Sequence, residues 1–315
     1  MKVLMLGAGA IGGYYGARLI EANADVTFAV RVNRRQWIES NGLKITSALG
    51  DFHSEVQVVD SKLISEKYDL VILTCKSYDL HQAIDAIAPA IELGAVVLPF
   101  VNGLAAYDML DQQFGRARVL GGVSYIATTL SADGVVQHDG HSDTVIIGAR
   151  HPAHLKTTRK IYDLIAKTDG RREYSENIEQ ALWDKWVTIG ASAAVCCLLR
   201  GSVGEIIRTK EGALLVSIAI QECTEVARRS GFPLSQDTID RVFSRLLDCD
   251  STWSPSMMRD IEVGAQKLEA DAIVGDMASR ARALGIPVIL ISAAYANLQI
   301  YLARKAHTAW MGKLD

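Results

Sequence analysis

Two textures divide the chain. From Lys2 to about Ser175, short apolar runs alternate with amphipathic stretches; beyond it, apolar residues recur at helical spacing and strand patterns vanish. The first part opens with Lys2-Val3-Leu4-Met5-Leu6, a strand pattern. A second strand is expected over Asp25 to Val30, then a helix from Arg34 to Ser40 broken at Gly42. Leu43 to Thr46 and Phe52 to Val59 read as a hairpin around Leu49-Gly50-Asp51. Asp69 to Thr74 and Ala95 to Phe100 are continuous apolar runs, as in a parallel sheet covered on both faces. A helix from Leu80 to Ala88 is stopped by Pro89, and another spans Ala105 to Phe114. Strands follow over Val119 to Thr129, Val135 to His138 and Thr144 to Gly148, then a helix from Ala153 to Lys167 and a short strand at Arg172 to Tyr174.

The second part predicts helices over Asn177 to Leu199, Glu211 to Ser230, Ser235 to Leu247, Pro255 to Leu284 and Val288 to His307. Ser235 and Ser254 read as N-caps, the latter with Pro255 at the first helical position, and Gly231 and Gly285 as C-terminal stops. The expected domains are residues 1–175, an α/β nucleotide-binding domain, and residues 176–315, an all-helical domain.

The first strand runs directly into Gly7-Ala8-Gly9-Ala10-Ile11-Gly12, and a helical pattern follows. Strand, Gly-x-Gly-x-x-Gly and helix together form the dinucleotide-binding fingerprint. Gly7 makes the tight turn, Gly9 lets a pyrophosphate approach the backbone, and Gly12 brings the helix close to the strand. The phosphates then meet free N–H groups at the helix N-terminus, including the turn at Ala10 and Ile11. The end of the second strand selects the cofactor. An NAD site places an acid there for the ribose 2′-OH. Here the strand ends Val30-Arg31, Arg34 and Arg35 follow, and no acid appears before Glu39. Guanidinium groups pair with a 2′-phosphate, so NADP is favoured. Lys76 and Asn102 also stand at the carboxyl ends of expected strands, where ligands of an open parallel sheet bind.

Composition narrows the class. The 315 residues are 49% hydrophobic, enough for cored domains, and the net charge of −3 gives no basic excess for nucleic acid. Five Cys without a Cys-x-x-Cys indicate neither a disulfide framework nor a zinc site, and Cys196-Cys197 read as core. The first residues enter a strand rather than a signal pattern, and the long uncharged run Ile286 to Leu302 reads as a buried helix rather than a membrane span. The expectation is a soluble, cytoplasmic protein with no metal and a small-molecule substrate; the oligomeric state is left open, a homodimer being one option.

On the helical side, Lys185 lies within Leu182-Trp183-Asp184-Lys185-Trp186, where it either snorkels to solvent or sits in a partly dry cleft. Glu269 follows Ser256 by about three and a half turns if Pro255 to Leu284 is one helix.

These residues, in this order, resemble the ketopantoate reductase (2-dehydropantoate 2-reductase) family over nearly the whole chain. The shared stretches are Gly7 to Gly12, Thr74-Cys75-Lys76, Val101-Asn102-Gly103-Leu104, Gly134 to His138, Leu182 to Lys185, Ser256-Met257 with Asp260, and Glu269-Ala270-Asp271. The resemblance implies an α/β protein with an N-terminal Rossmann-type doubly wound domain and a C-terminal all-helical domain. It implies reduction of a 2-oxo acid by NADPH, with Lys185 as general acid and Glu269 as a second essential carboxylate. It further implies that Asn102 and Ser256 contact substrate or cofactor and that Arg31 and Lys76 contact NADPH. Two departures stand out. Ile189 and Ala193 replace the asparagines that the family carries one and two turns after the lysine, so an apolar wall is expected around the substrate's tail, to which Trp253 contributes. The Ser256-to-Glu269 spacing is one residue longer, so a bulge or a slipped helix is expected between them. Two rival readings use the same fold: an opine-type dehydrogenase and a non-catalytic NADPH sensor.

Overall fold

The structure, a computed structural model, describes residues 1–311. The chain forms two compact units: Met1–Val101 with Ala106–Ala181, and Asn102–Ala105 with the residues from Leu182 onward.

The first unit comprises β1 (Lys2–Leu6), α1 (Ala10–Glu21), β2 (Asp25–Val30), α2 (Val32–Asn41), β3 (Leu43–Ser47), β4 (Phe52–Ser54), β5 (Gln57–Asp60), β6 (Leu70–Leu73), α3 (Leu80–Glu92), β7 (Val96–Pro99), α4 (Ala105–Phe114), β8 (Gly121–Leu130), β9 (Val136–Gly148), α5 (Leu155–Ile165) and β10 (Arg171–Tyr174). A parallel five-stranded sheet runs in the order β5-β2-β1-β6-β7. Its central strands are apolar throughout because both faces are covered, and β6 is buried at every position. The order reverses between β1 and β6, the switch point outside which ligands of such sheets bind. A second sheet runs β10-β9-β3-β4, with β8 antiparallel to β9. Helix α1 packs between the sheets through small residues. A Cβ on Gly16 would overlap the Phe28 ring of β2, and one on Gly13 would lie 2.9 Å from Val136 of β9.

A buried charge ties these layers together. Asp143 on β9 has no exposed side-chain surface. Its carboxylate accepts from Arg172 Nη2 on β10 at 2.6 Å, and from the hydroxyls of Tyr14 at 3.1 Å and Tyr15 at 3.0 Å on α1. Such a buried carboxylate is tolerable only with its lone pairs engaged.

Three expectations for this unit are corrected. The segment 52–59 is two strands in two sheets: β4 completes the hairpin with β3, while β5 runs parallel to β2. Helix α3 continues through Pro89 to Glu92; Pro89 is exposed, so water can satisfy the carbonyl its missing N–H leaves behind. The two strands expected over 135–148 are one, β9, paired with β8 along both halves.

The second unit contains α6 (Ile178–Leu199), α7 (Val203–Ile207), α8 (Gly212–Arg229), α9 (Gln236–Leu246), α10 (Ser256–Glu262), a π-turn at Asp271–Gly275, α11 (Asp276–Ala283) and α12 (Ile289–Met311). Helix α6 is long and apolar enough to cross a membrane, but 72% of its most apolar window is buried inside the protein, so its apolar surface forms core. Cys196 and Cys197 belong to that core, and burial pushes both thiols up to about 12. Helix α9 is capped as expected, Ser235 Oγ accepting from the Thr238 N–H at 3.2 Å. Gly231 and Gly285 carry positive φ where helices stop. Glu222 of α8 caps α12, accepting from the N–H groups of Leu290 at 3.0 Å and Ile291 at 2.9 Å.

Here too there are corrections. The single helix expected over 255–284 is broken. Helix α10 ends at Glu262, Gly264 turns with φ +71°, and the Ala265 N–H bonds back to the Asp260 carbonyl at 2.8 Å. Ser254 is not the N-cap; Pro255 occupies that place in an extended conformation. Helix α12 is one-faced rather than buried: Leu290, Ile291, Ala294 and Leu298 point inward, while Ile289 and Ile300 are exposed.

Candidate functional site

In the first unit the fingerprint forms a shaped turn. Gly7 leaves β1 with φ +100°, a backbone open to glycine at little cost, and its N–H bonds to Ala29 of β2 at 2.9 Å. Gly9 is the N-cap of α1, and nothing lies within 4 Å of where its Cβ would be, so its outer face is open to a ligand. Gly12 is the opposite case: a Cβ there would overlap the Gly7 carbonyl and sit 2.5 Å from Thr74 Oγ1. Thr74 itself donates to the Leu6 carbonyl at 3.0 Å, pinning the ends of β1 and β6 together. Sequence reading did not single out that role; the signal available was a hydroxyl at a strand end beside the switch point. No acid occupies the first turn of α1, so the N–H groups around Ala10 and Ile11 meet no competing carboxylate there. This cradle fits a pyrophosphate.

The arginines after β2 divide their labour. Arg31 is the N-cap residue of α2 and its side chain is 66% exposed, with Nη2 3.0 Å from Asp79 Oδ2. Arg34 is engaged by the backbone: Nε donates to Ala8 at 2.9 Å and Nη1 to Gly134 at 2.8 Å, and the guanidinium lies 4.6 Å from the Trp37 ring centre. Its other terminal nitrogen is buried without a hydrogen-bond partner. Arg35 pairs with Glu39 at 2.8 Å. Arg34 therefore shapes the glycine turn, and Arg31 is the exposed member of the group. Lys76 is half-buried just past β6, at the start of a short 3-10 turn over Ser77–Asp79.

In the second unit, the structure brings together Lys185, Glu269 and Asn102. Lys185 is on α6, 8% exposed, and Glu269 is 4% exposed immediately before the π-turn. Burial pushes the Lys185 ammonium down to about 8, and the charge of Glu269 pulls the other way. Asn102 Nδ2 donates to Glu269 Oε2 at 3.3 Å. A buried amine that holds its proton only weakly near neutrality, beside one carboxylate, is suited to proton donation. Of the two environments open to a lysine at this position, snorkelling and a dry cleft, Lys185 occupies the buried one.

The other expected residues fall as follows. Ile189 and Ala193 continue along α6 after Lys185, the former half-buried and the latter 1% exposed. Ser256 is the first residue of α10, half-buried, on a different segment from Glu269 because of the break at Gly264. Trp253 lies against the guanidinium of Arg245, 4.4 Å from the ring centre, and its carbonyl accepts from the Val203 N–H at 3.0 Å.

A parallel sheet with a glycine-rich strand-to-helix turn at its switch point, joined in one chain to a helical unit holding a buried lysine and carboxylate, defines a Rossmann-type oxidoreductase. The comparisons supply the family. Residues 3–151 match the model of ketopantoate reductase PanE/ApbA, and residues 177–301 match that of its C-terminal domain. The chain belongs to the ketopantoate reductase family. Among its relatives, an uncharacterized oxidoreductase, YkpB, of Bacillus subtilis is 31% identical over 97% of this chain and 100% of its own. A 2-dehydropantoate 2-reductase of Pyrococcus abyssi is 31% identical over 91% of this chain and 93% of its own. The crystal structure of a PanE/ApbA family ketopantoate reductase from Ralstonia eutropha superposes with a TM-score of 0.87, at 28% identity, over 98% of this chain and 100% of that one.

Proposed function

We propose that this protein reduces a 2-oxo acid to the 2-hydroxy acid with NADPH, Lys185 serving as general acid. The observation that carries the reading is Lys185 itself: an amine buried in a helical core, held near a pKa of about 8, with Glu269 as its charged neighbour. NADPH, when bound, supplies the hydride. Reduction of a keto group builds negative charge on its oxygen, and an ammonium in a dry site stabilises that charge before giving up its proton. Glu269 orients the ammonium, and Asn102 holds Glu269. Ser256 is assigned to the substrate carboxylate. Gly7, Gly9, Ala10, Ile11 and Gly12 are assigned to the pyrophosphate, Lys76 to the cofactor, and Arg31 to the 2′-phosphate. Exposure of Arg31 and the lack of an acid at the end of β2 support NADPH over NADH.

Family membership and the relative named 2-dehydropantoate 2-reductase support ketopantoate as substrate. A specific observation favours a second reading of the same chemistry, on a more apolar 2-oxo acid. Ile189 and Ala193 offer no polar group along α6 after Lys185, where a substrate hydroxyl would otherwise find a partner. The test is a panel of 2-oxo acids incubated with NADPH, followed by loss of nicotinamide absorbance. Turnover of ketopantoate or a branched apolar 2-oxo acid is expected. Loss of activity on every 2-oxo acid, with turnover of an amine-forming pair instead, would overturn the reading in favour of an opine-type reaction.

A further inference from the structure

We infer that Trp186 and Gly103 are positioning residues, which hold Glu269 in place for Lys185 by clamping the π-turn Asp271–Gly275. The inference rests on the roles proposed above for Lys185 and Glu269.

The π-turn is the irregular element next to the site. The Asp276 N–H reaches back to the Asp271 carbonyl, one residue further than in an α-helix. A widened turn gives up the regular ladder and needs support from outside it. Three groups supply that support. Trp186 Nε1 donates to the Ile273 carbonyl at 3.0 Å, from a side chain only 1% exposed. Gly103 presses its backbone on the preceding carbonyl: a Cβ there would overlap Ala272 O and lie 3.8 Å from Trp186 Nε1, and φ is +79°. The Tyr295 hydroxyl donates to Asp271 Oδ1 at 2.7 Å.

Glu269 is part of the clamped piece, because its own carbonyl accepts from the Ile273 N–H at 3.1 Å. The sequence neighbours of the clamp carry the chemistry. Lys185 precedes Trp186, so one residue of α6 presents the ammonium and the next grips the segment bearing the carboxylate. Asn102 precedes Gly103, so one residue bonds the Glu269 side chain and the next abuts the turn beyond it. Around this assembly the charged groups are Glu269 and Asp271 on the turn's side. Arg280 lies 5.3 Å from the Trp186 ring centre and is paired with Asp276 at 3.1 Å. Of these, Glu269 is the charge that acts on Lys185.

Trp186→Phe removes the N–H and keeps an aromatic ring. Trp183→Phe is the control, a neighbouring buried tryptophan that stacks on Phe232. The readouts are kcat, KM and the pH profile of NADPH-dependent 2-oxo acid reduction, with circular dichroism for folding. Trp186→Phe is expected to lower kcat about tenfold or more, the scale of a small misplacement of a catalytic pair. KM should stay within about twofold. The basic limb of the profile should move to lower pH, because a slack Glu269 no longer opposes the effect of burial on Lys185. Trp183→Phe should leave that limb where the wild type has it. An unmoved limb in folded Trp186→Phe, or an equal shift in both variants, would overturn the inference. If Trp186→Phe does not fold, Tyr295→Phe decides: a shift in the same direction supports the clamp, and an unchanged limb overturns it. A wild-type profile with no basic limb would instead remove the proposed role of Lys185, on which the clamp depends.

Discussion

Asn102 and Glu269 stand 167 positions apart in sequence, and the amide of one donates to the carboxylate of the other at 3.3 Å. The bond sets Asn102 beside the carboxylate whose charge acts on Lys185. Asn102–Ala105 accordingly packs with the helical unit rather than with the sheet it follows. A carboxylate held from one side by an amide and acting on a buried ammonium is a compact way to orient a proton donor.

The pH profile should report this pair. Lys185 has its pKa lowered to about 8, so its proton is present below that value and lost above it. The rate of reduction is therefore expected to fall as pH rises through about 8. Lys185→Met should abolish the limb along with most of the activity. A flat rate between pH 7 and 10 would contradict the assignment.

For the cofactor, Arg31 and Arg34 should separate. Arg31→Ala removes the exposed guanidinium and should lower the preference for NADPH over NADH by about tenfold or more. Arg34→Ala removes the bonds to the Ala8 and Gly134 carbonyls and should weaken both cofactors alike. Fluorescence titration of both dinucleotides checks this. An unchanged ratio in Arg31→Ala would refute the 2′-phosphate role.

Stability of the first unit should depend on Asp143. Asn in its place leaves Arg172 buried against a neutral partner, and breaking such a pair costs about 3–5 kcal/mol. Urea unfolding measures the loss. A change below about 1 kcal/mol, the scale of an exposed pair, would show that the cluster is not a structural tie.

Substrate discrimination tests the apolar wall proposed for Ile189 and Ala193. With no polar group there, ketopantoate and 2-oxo-3,3-dimethylbutanoate should differ in kcat/KM by no more than about tenfold, roughly 1.4 kcal/mol. A preference for ketopantoate of about a thousandfold or more would show that other residues bind its hydroxyl.

Much of this was legible in the sequence because it is local. The strand before Gly7, the spacing to Gly12 and the run into α1 are read from neighbours along the chain, and Gly7 and Gly12 have the backbone and packing that the motif requires. The helical unit was legible as helices, but not where helix 255–284 breaks. Apolar positions continue on both sides of Gly264, so periodicity alone bridges the gap. What the sequence hid are partners far along the chain. Arg34 reads as a phosphate ligand until its bonds to Ala8 and Gly134 are seen. Trp186 reads as apolar company for Lys185 until its N–H is found on Ile273. Asp143 carries no local signal at all; its partners Tyr14 and Tyr15 on α1 and Arg172 on β10 come from two distant segments.

The central claim is that Lys185 donates the proton in a 2-oxo acid reduction, and the most direct measurement compares kcat of the wild type and Lys185→Ala near neutral pH. NADPH affinity is read in the same samples by fluorescence. The account predicts a loss in kcat on the order of a hundredfold or more, the usual scale for a general acid, with NADPH binding little changed. A Lys185→Ala variant that turns over at the wild-type rate would contradict it.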